Sequence, residues 1–128
     1  MNANSVLSRL VGFALLLLLG GCSAGPAEPP DAEQARGALV AALDAWKRGE
    51  KPADVQSGGR TVTVSDREWQ QDWKLQDYKV LPGQEERGGS LRIRASLSVC
   101  DSKGKSAKKN VAYHIGTRPV ITVIREYE

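Results

Sequence analysis

Apolar residues recur along this chain in two rhythms, after one short block in which they run together. The block is residues 10–19, Leu-Val-Gly-Phe-Ala followed by five leucines. Past a Pro-rich stretch, Ala35, Ala38, Leu39, Ala42, Leu43 and Trp46 recur at three- and four-residue spacing. That spacing puts them on one stripe of a helix. Asp31 is placed to cap it, with Gln34 three residues on, and Glu33 suits its positive end. Lys47, Arg48 and Gly49 suit its close. The pattern predicts a helix over 32–48.

From residue 60 the period becomes two, the signature of strands. Val62 and Val64 alternate with threonines over 60–65. Residues 66–72 are polar around Trp69 and predict a short helical turn. The run 73–81 mixes its parities, which predicts a bulged or edge strand. Residues 82–89 read as a charged turn. The cleanest strand is 90–100: Leu91, Ile93, Ala95, Leu97 and Val99 face one way, Arg92, Arg94, Ser96 and Ser98 the other. A Gly- and Lys-containing hairpin loop is expected over 101–109, then a strand marked by Val111, Tyr113 and Ile115. Gly116, Thr117 and Pro119 break that strand. The last run, 120–127, is apolar on both parities, which predicts a central strand or one covered on both faces.

One helix followed by a strand meander implies an α+β domain, a helix packed on a curved four- to five-stranded antiparallel sheet. This layout, over residues 31–128, resembles the cystatin-like and NTF2-like architectures, in which a curved sheet wraps a helix. With one clear helix it is nearer the smaller, cystatin-like plan. The resemblance is one of layout and carries no residue motif. Gln56-Ser57-Gly58 does not match the inhibitory hairpin of cystatins.

The first apolar block has a different meaning. Arg9, the apolar core and the small residues after it form an export signal. The core is shorter than the about 20 residues a membrane span needs. Leu19, Gly20, Gly21 and Cys22 resemble the lipobox of bacterial lipoproteins. The resemblance implies a diacylglyceryl group on the Cys22 sulfur, cleavage before it and acylation of the new amino group. Two or three chains anchor stably where one is marginal. Ser23 rather than Asp in the next position resembles an outer-membrane destination facing the periplasm. The expected organisation is a signal peptide over 1–21, a lipidated cysteine and tether over 22–30, and a single domain over 31–128. Pro26, Pro29 and Pro30 make the tether extended, and eight residues of it reach about 25 Å.

The whole chain has 128 residues and a formal charge of +3. Cleavage after Gly21 removes Arg9 and no other charge, leaving 17 basic and 15 acidic side chains. That near balance, in an exported chain, points away from nucleic acid. With Cys22 lipidated, Cys100 has no partner for a disulfide within the chain and reads as a small, buried, inert residue, the alternative being a thiol that pairs between chains.

Candidate chemistry is sparse. His114 is the chain's one histidine, on the outward parity of its strand, and no metal-ligand spacing surrounds it. Gly58-Gly59 lacks the residues of a phosphate loop. Trp69, Trp73 and Tyr78 interleave with Asp66, Glu68, Asp72 and Asp77. They form a candidate ligand platform or, on the plainer reading, close one end of the core. Lys103, Lys105, Lys108 and Lys109 form a candidate contact for an anionic surface, with Arg92 and Arg94 on the neighbouring strand; the plainer reading is a solvated turn. The functional expectation is a lipid-anchored, non-catalytic binding or assembly module without cofactor or metal. Its expected partners are the membrane, through the anchor, and an envelope protein or anionic surface. The alternative is a small NTF2-like enzyme, whose mark would be a deep pocket with a paired acid and base.

Overall fold

The computed structural model describes residues 30–127; the signal segment, Cys22 and the tether up to residue 29 lie outside them. The helix α1 spans Ala32–Lys47. Asp31 caps it by accepting the Gln34 N–H at 3.1 Å. At the other end Gly49 takes φ 84, and the N–H groups of Gly49 and Glu50 return to the carbonyls of Trp46 and Ala45. A side chain at Gly49 would strain that left-handed turn. The predicted stripe is the buried stripe, joined by Ala45.

A one-turn 3-10 helix, Pro52–Asp54, leads to the strands. These are β1 Gln56–Ser57, β2 Arg60–Ser65, β3 Lys74–Val80, β4 Glu85–Arg87, β5 Ser90–Cys100, β6 Ser106–Gly116 and β7 Ile121–Arg125. A second short helix, α2 Arg67–Gln70, links β2 to β3. The fold is α+β, one main helix on a curved sheet. The sheet order is β1-β2-β7-β6-β5-β3, with β4 also paired to β5.

The sheet departs from the expected four- to five-stranded antiparallel meander in two ways. It has seven strands, because β1 and β4 are too short and too polar to leave a period-two signal. It is also mixed: β2 pairs in parallel with β7, Val62 opposite Ile121 and Val64 opposite Val123. The cause is the connection after β2. A tight hairpin would have laid β3 beside β2. Instead residues 66–73 cross the end of the sheet, and β3 pairs with β5 at the far edge. The chain's last strand then fills the gap between β6 and β2. β7 is therefore central, as its sequence predicts, yet its outer face is uncovered and Ile124 is exposed. β3 is an edge strand whose register shifts between Leu75 and Asp77.

The core lies between α1 and the inner sheet face. Leu39 and Leu43 pack with Ile93, Leu97, Val99 and Ile115, all at 1% exposure or less. Truncating one such leucine to alanine costs about 2–5 kcal/mol. Trp46 and Trp69 stack at 5.5 Å and close one end of this core. Both indole N–H groups are spent on backbone, on the carbonyls of Trp73 at 2.7 Å and Glu50 at 2.9 Å. Arg36 fills the break between β3 and β4, donating to the carbonyls of Leu81 and Gly83.

Candidate functional site

The crossing segment 66–73 is held by a buried ionic network. Asp66 caps α2, accepting the N–H groups of Glu68 and Trp69. Its carboxylate also accepts the Tyr113 hydroxyl at 2.7 Å, the Tyr127 hydroxyl at 3.0 Å and Nη1 of Arg125 at 3.3 Å. Glu68 ion-pairs with Nη2 of Arg125 at 2.7 Å and with the Lys109 ammonium. The Lys109 ammonium also lies over the Trp73 ring. Asp66, Glu68 and Arg125 are buried, and a charge in that position is tolerable only when paired. Burial, and then the Asp66 charge, raise the Tyr113 pKa well above the usual phenol value; the same two causes raise that of Tyr127. Burial works against the Arg125 charge, but Asp66, Tyr113 and Glu68 outweigh it and its pKa rises.

Asp66 and Tyr113 are a buried acid beside a hydroxyl, the type of pair an enzyme would use. Both carboxylate oxygens are already surrounded by donors, and both residues are about 1% exposed. Such a carboxylate has no lone pair left to take a substrate proton. Its work is to fix α2, and through α2 the Trp69 ring.

Trp69 stands between two hollows. One, of about 270 Å³, lies against Trp46, Glu50, Trp73 and Lys74. The other, of about 560 Å³, lies along residues 61–64 of β2, with Pro52, Ala53 and Gln70. Lys51, Pro52, Trp69 and Asp72 border both. Asp72 holds φ 65, a left-handed position that Asp tolerates better than most residues. The larger hollow has an apolar floor of Val62, Val64 and Trp69 and a polar rim. It also meets unpaired main chain. Val62 turns its N–H to Val55 at 3.0 Å. Strand alternation turns the Val64 N–H and carbonyl the same way, and no described strand lies beside them there.

The structure brings Trp69 and Trp73 of the candidate platform to the smaller hollow and places Tyr78 elsewhere. Trp69 is buried on Trp46, and Trp73 is half-buried under Lys109. Tyr78 lies farther along β3 with its hydroxyl on Asp44 of α1 at 2.6 Å. Burial and then that hydrogen bond push the Tyr78 pKa up to about 12. The three do not form one open aromatic surface.

The lysines also divide. Lys103 and Lys105 lie in the turn, where their backbone N–H groups donate to Asp101 at 2.9 Å. The hairpin loop is shorter than expected, since β6 begins at Ser106 and takes in both Lys108 and Lys109. Lys109 faces inward to Glu68, on the parity of Val111, Tyr113 and Ile115. Lys108 faces outward and is exposed. That parity was available in the sequence; the acceptor Glu68, 41 residues away, was not.

On the outer sheet face, Arg92 pairs with Glu126 at 2.7 Å and His114 Nε2 lies 3.2 Å from the same carboxylate. A hydrogen bond from Arg92, helped by its charge, holds the Glu126 pKa below the usual carboxylate range. A hollow of about 430 Å³ opens there between Arg92, Arg94, Asn110 and Glu126. Among the described residues no cluster of His, Cys, Asp and Glu has the makings of a metal site. No described helix is long and apolar enough to cross a membrane.

Comparison with protein-family models, with curated proteins and with solved structures finds no match for this chain.

Proposed function

We propose that this chain is a lipid-anchored, non-catalytic binding module of a bacterial envelope. Cys22 carries the lipid, and the larger hollow beside Trp69 takes the ligand. The Leu-Gly-Gly-Cys segment supports the anchor and Ser23 an outer-membrane location facing the periplasm. The observation that carries the binding reading is the hollow along β2, where an apolar floor meets the free Val64 main chain. Its volume falls within the range of ordinary ligand sites, about 300–1,000 Å³. Unpaired main chain beside an apolar hollow suits an extended peptide that adds to the strand and lays one apolar side chain on Val64 and Trp69. A binding module is favoured over an NTF2-like enzyme because the space between helix and sheet is filled by Leu39, Leu43, Ile93 and Leu97.

Two measurements test this reading. Cys22→Ala should abolish incorporation of labelled fatty acid, and equal labelling of the variant would overturn the anchor. Peptides selected on the protein from a random library should bind Val64→Pro about tenfold more weakly, as loss of a hydrogen bond and an apolar contact requires. The variant should keep its melting temperature, since proline is tolerated on an edge. Selected peptides that bind Val64→Pro as well as wild type would overturn the site.

A further inference from the structure

The cations of this domain are sorted by face. Strands β3, β5 and β6 carry Lys74, Lys79, Arg92, Arg94, Lys108 and Lys109 against one carboxylate, Asp77, which pairs with Lys47 of α1. The register shows where the cations point. Lys74 is opposite Cys100, Lys79 opposite Ser96, and Lys108 opposite Ser98. Those three partners share the outward parity of Arg94, while Ile93, Ala95, Leu97 and Val99 between them are buried. Directly paired residues project to the same side of a sheet, so Lys74, Lys79, Arg94 and Lys108 share the outer face. Lys103 and Lys105 extend it at the β5–β6 turn. Among the described residues none of these six has a carboxylate within ion-pair reach. Arg92 and Lys109, by contrast, are engaged by Glu126 and Glu68.

The side chains between these cations are mostly short, Ser96, Ser98, Ser106 and Ala112, with Asn110 and the carboxylate of Asp77, which Lys47 holds, among them. Long basic side chains rising from a floor of small residues make a broad cationic plane rather than a pocket. Arg94 borders a shallow hollow with Asn110 and Glu126, but the Glu126 carboxylate there is engaged by Arg92 and His114 rather than by Arg94. Among the described residues, carboxylates without an ion pair include Glu33, Asp54 and Asp72, away from these strands, Glu86 on β4, and Asp101 in the β5–β6 turn, whose Oδ1 accepts the backbone N–H groups of Lys103 and Lys105.

We propose that the outer face of β3, β5 and β6 docks this domain on an anionic phospholipid surface, through Lys74, Lys79, Arg94 and Lys108 with Lys103 and Lys105 at its margin. The proposal rests on the lipid-anchored reading: a tether reaching about 25 Å keeps the domain beside a bilayer. A plane suits a headgroup layer better than a cleft does, and each cation near an anionic bilayer favours the docked state by about fivefold. Docking in this way leaves α1, on the opposite side of the sheet, turned away from the bilayer.

Cys100 supplies the readout, because it lies on this face opposite Lys74 and is the free thiol among the described residues. The full chain, expressed in a lipoprotein-processing bacterium, is reconstituted into vesicles of phosphatidylcholine alone or with phosphatidylglycerol. Reaction of Cys100 with a neutral maleimide is then timed, and flotation with each vesicle is scored. At low salt the reaction should be at least about fivefold slower on the anionic vesicles, the effect of a single cation. The difference should vanish in high salt, where the Debye length falls to about 3 Å. It should also vanish in the fourfold variant Lys74→Gln, Lys79→Gln, Arg94→Gln, Lys108→Gln, which should melt as wild type does. Flotation with both vesicles but equal reaction rates would overturn docking and leave the anchor standing. Failure to float with neutral vesicles would overturn the anchor; flotation with anionic vesicles alone would then still support the face, and flotation with neither would overturn it. Protection by dissolved dextran sulfate but not by anionic vesicles would overturn the lipid as occupant and assign a polyanion instead.

Discussion

Two clusters of charge lie on opposite sides of the same strand pair, and they obey opposite rules. Inside, Asp66, Glu68, Arg125 and Lys109 are matched cation to carboxylate, with Tyr113 and Tyr127 taking up the remaining oxygens. Outside, Lys74, Lys79, Arg94 and Lys108 make no ion pair among the described residues, although Asp77 and Glu126 lie nearby. Neighbouring residues show the contrast at its sharpest. Lys109 is held by Glu68 and the Trp73 ring, while Lys108 reaches water. A buried charge must be matched because little water remains to solvate it. A surface charge is already solvated, so leaving it unmatched costs the fold little. Unmatched exposed charge is thus available to a partner, and matched buried charge is committed to the fold.

The largest effect should come from breaking the inner cluster. Asp66→Ala leaves Arg125 short of a counter-charge and strips acceptors from two hydroxyls and two backbone N–H groups. Urea unfolding should show a loss of about 3–5 kcal/mol. An unchanged midpoint would mean the network does not hold the crossing segment.

The neighbouring lysines give a sharper and smaller test. Lys109→Gln leaves Glu68 with one cation fewer and should cost about 1–3 kcal/mol. Lys108→Gln should stay within about 0.5 kcal/mol of wild type. Equal losses would erase the distinction between the two faces.

Tyrosine ionisation probes the inner side without mutation. The chain's three tyrosines all have raised pKa values, Tyr78 at about 12. The unfolded chain gives up its phenol protons first, near pH 10. The stability these groups contribute is therefore full below pH 10 and, for Tyr78, is lost as pH rises from 10 to about 12. Absorbance at pH 10 should show less tyrosinate in the folded protein than in the unfolded chain. Half-ionised tyrosines at that pH in the folded state would contradict the burial. Tyr78→Phe removes the bond to Asp44 and should cost about 1 kcal/mol.

The smallest expected effect is on the outer face. Arg94→Gln should leave the urea midpoint within about 0.5 kcal/mol. A larger loss would mean that Arg94 serves the fold after all.

The sequence alone determined what depends on neighbours a few residues away. Helix α1 follows from its stripe, the Asp31 cap and Gly49. The bounds of β2 and β5, and the buried set Leu91, Ile93, Ala95, Leu97 and Val99, follow from period-two alternation. Both signals are local because a backbone repeat sets which side chains share a face. Only the tertiary structure decided the parallel pairing of β2 with β7, the two short strands, the hollow beside Trp69 and the network around Asp66. Each joins residues far apart in the chain: Asp66 meets Tyr113 and Arg125 across separations of 47 and 59 residues. Alternation could place Lys109 inside and Lys108 outside, but it could not say that Glu68 would be waiting. Periodicity assigns a side chain to a face, and the path of the chain decides what meets it there.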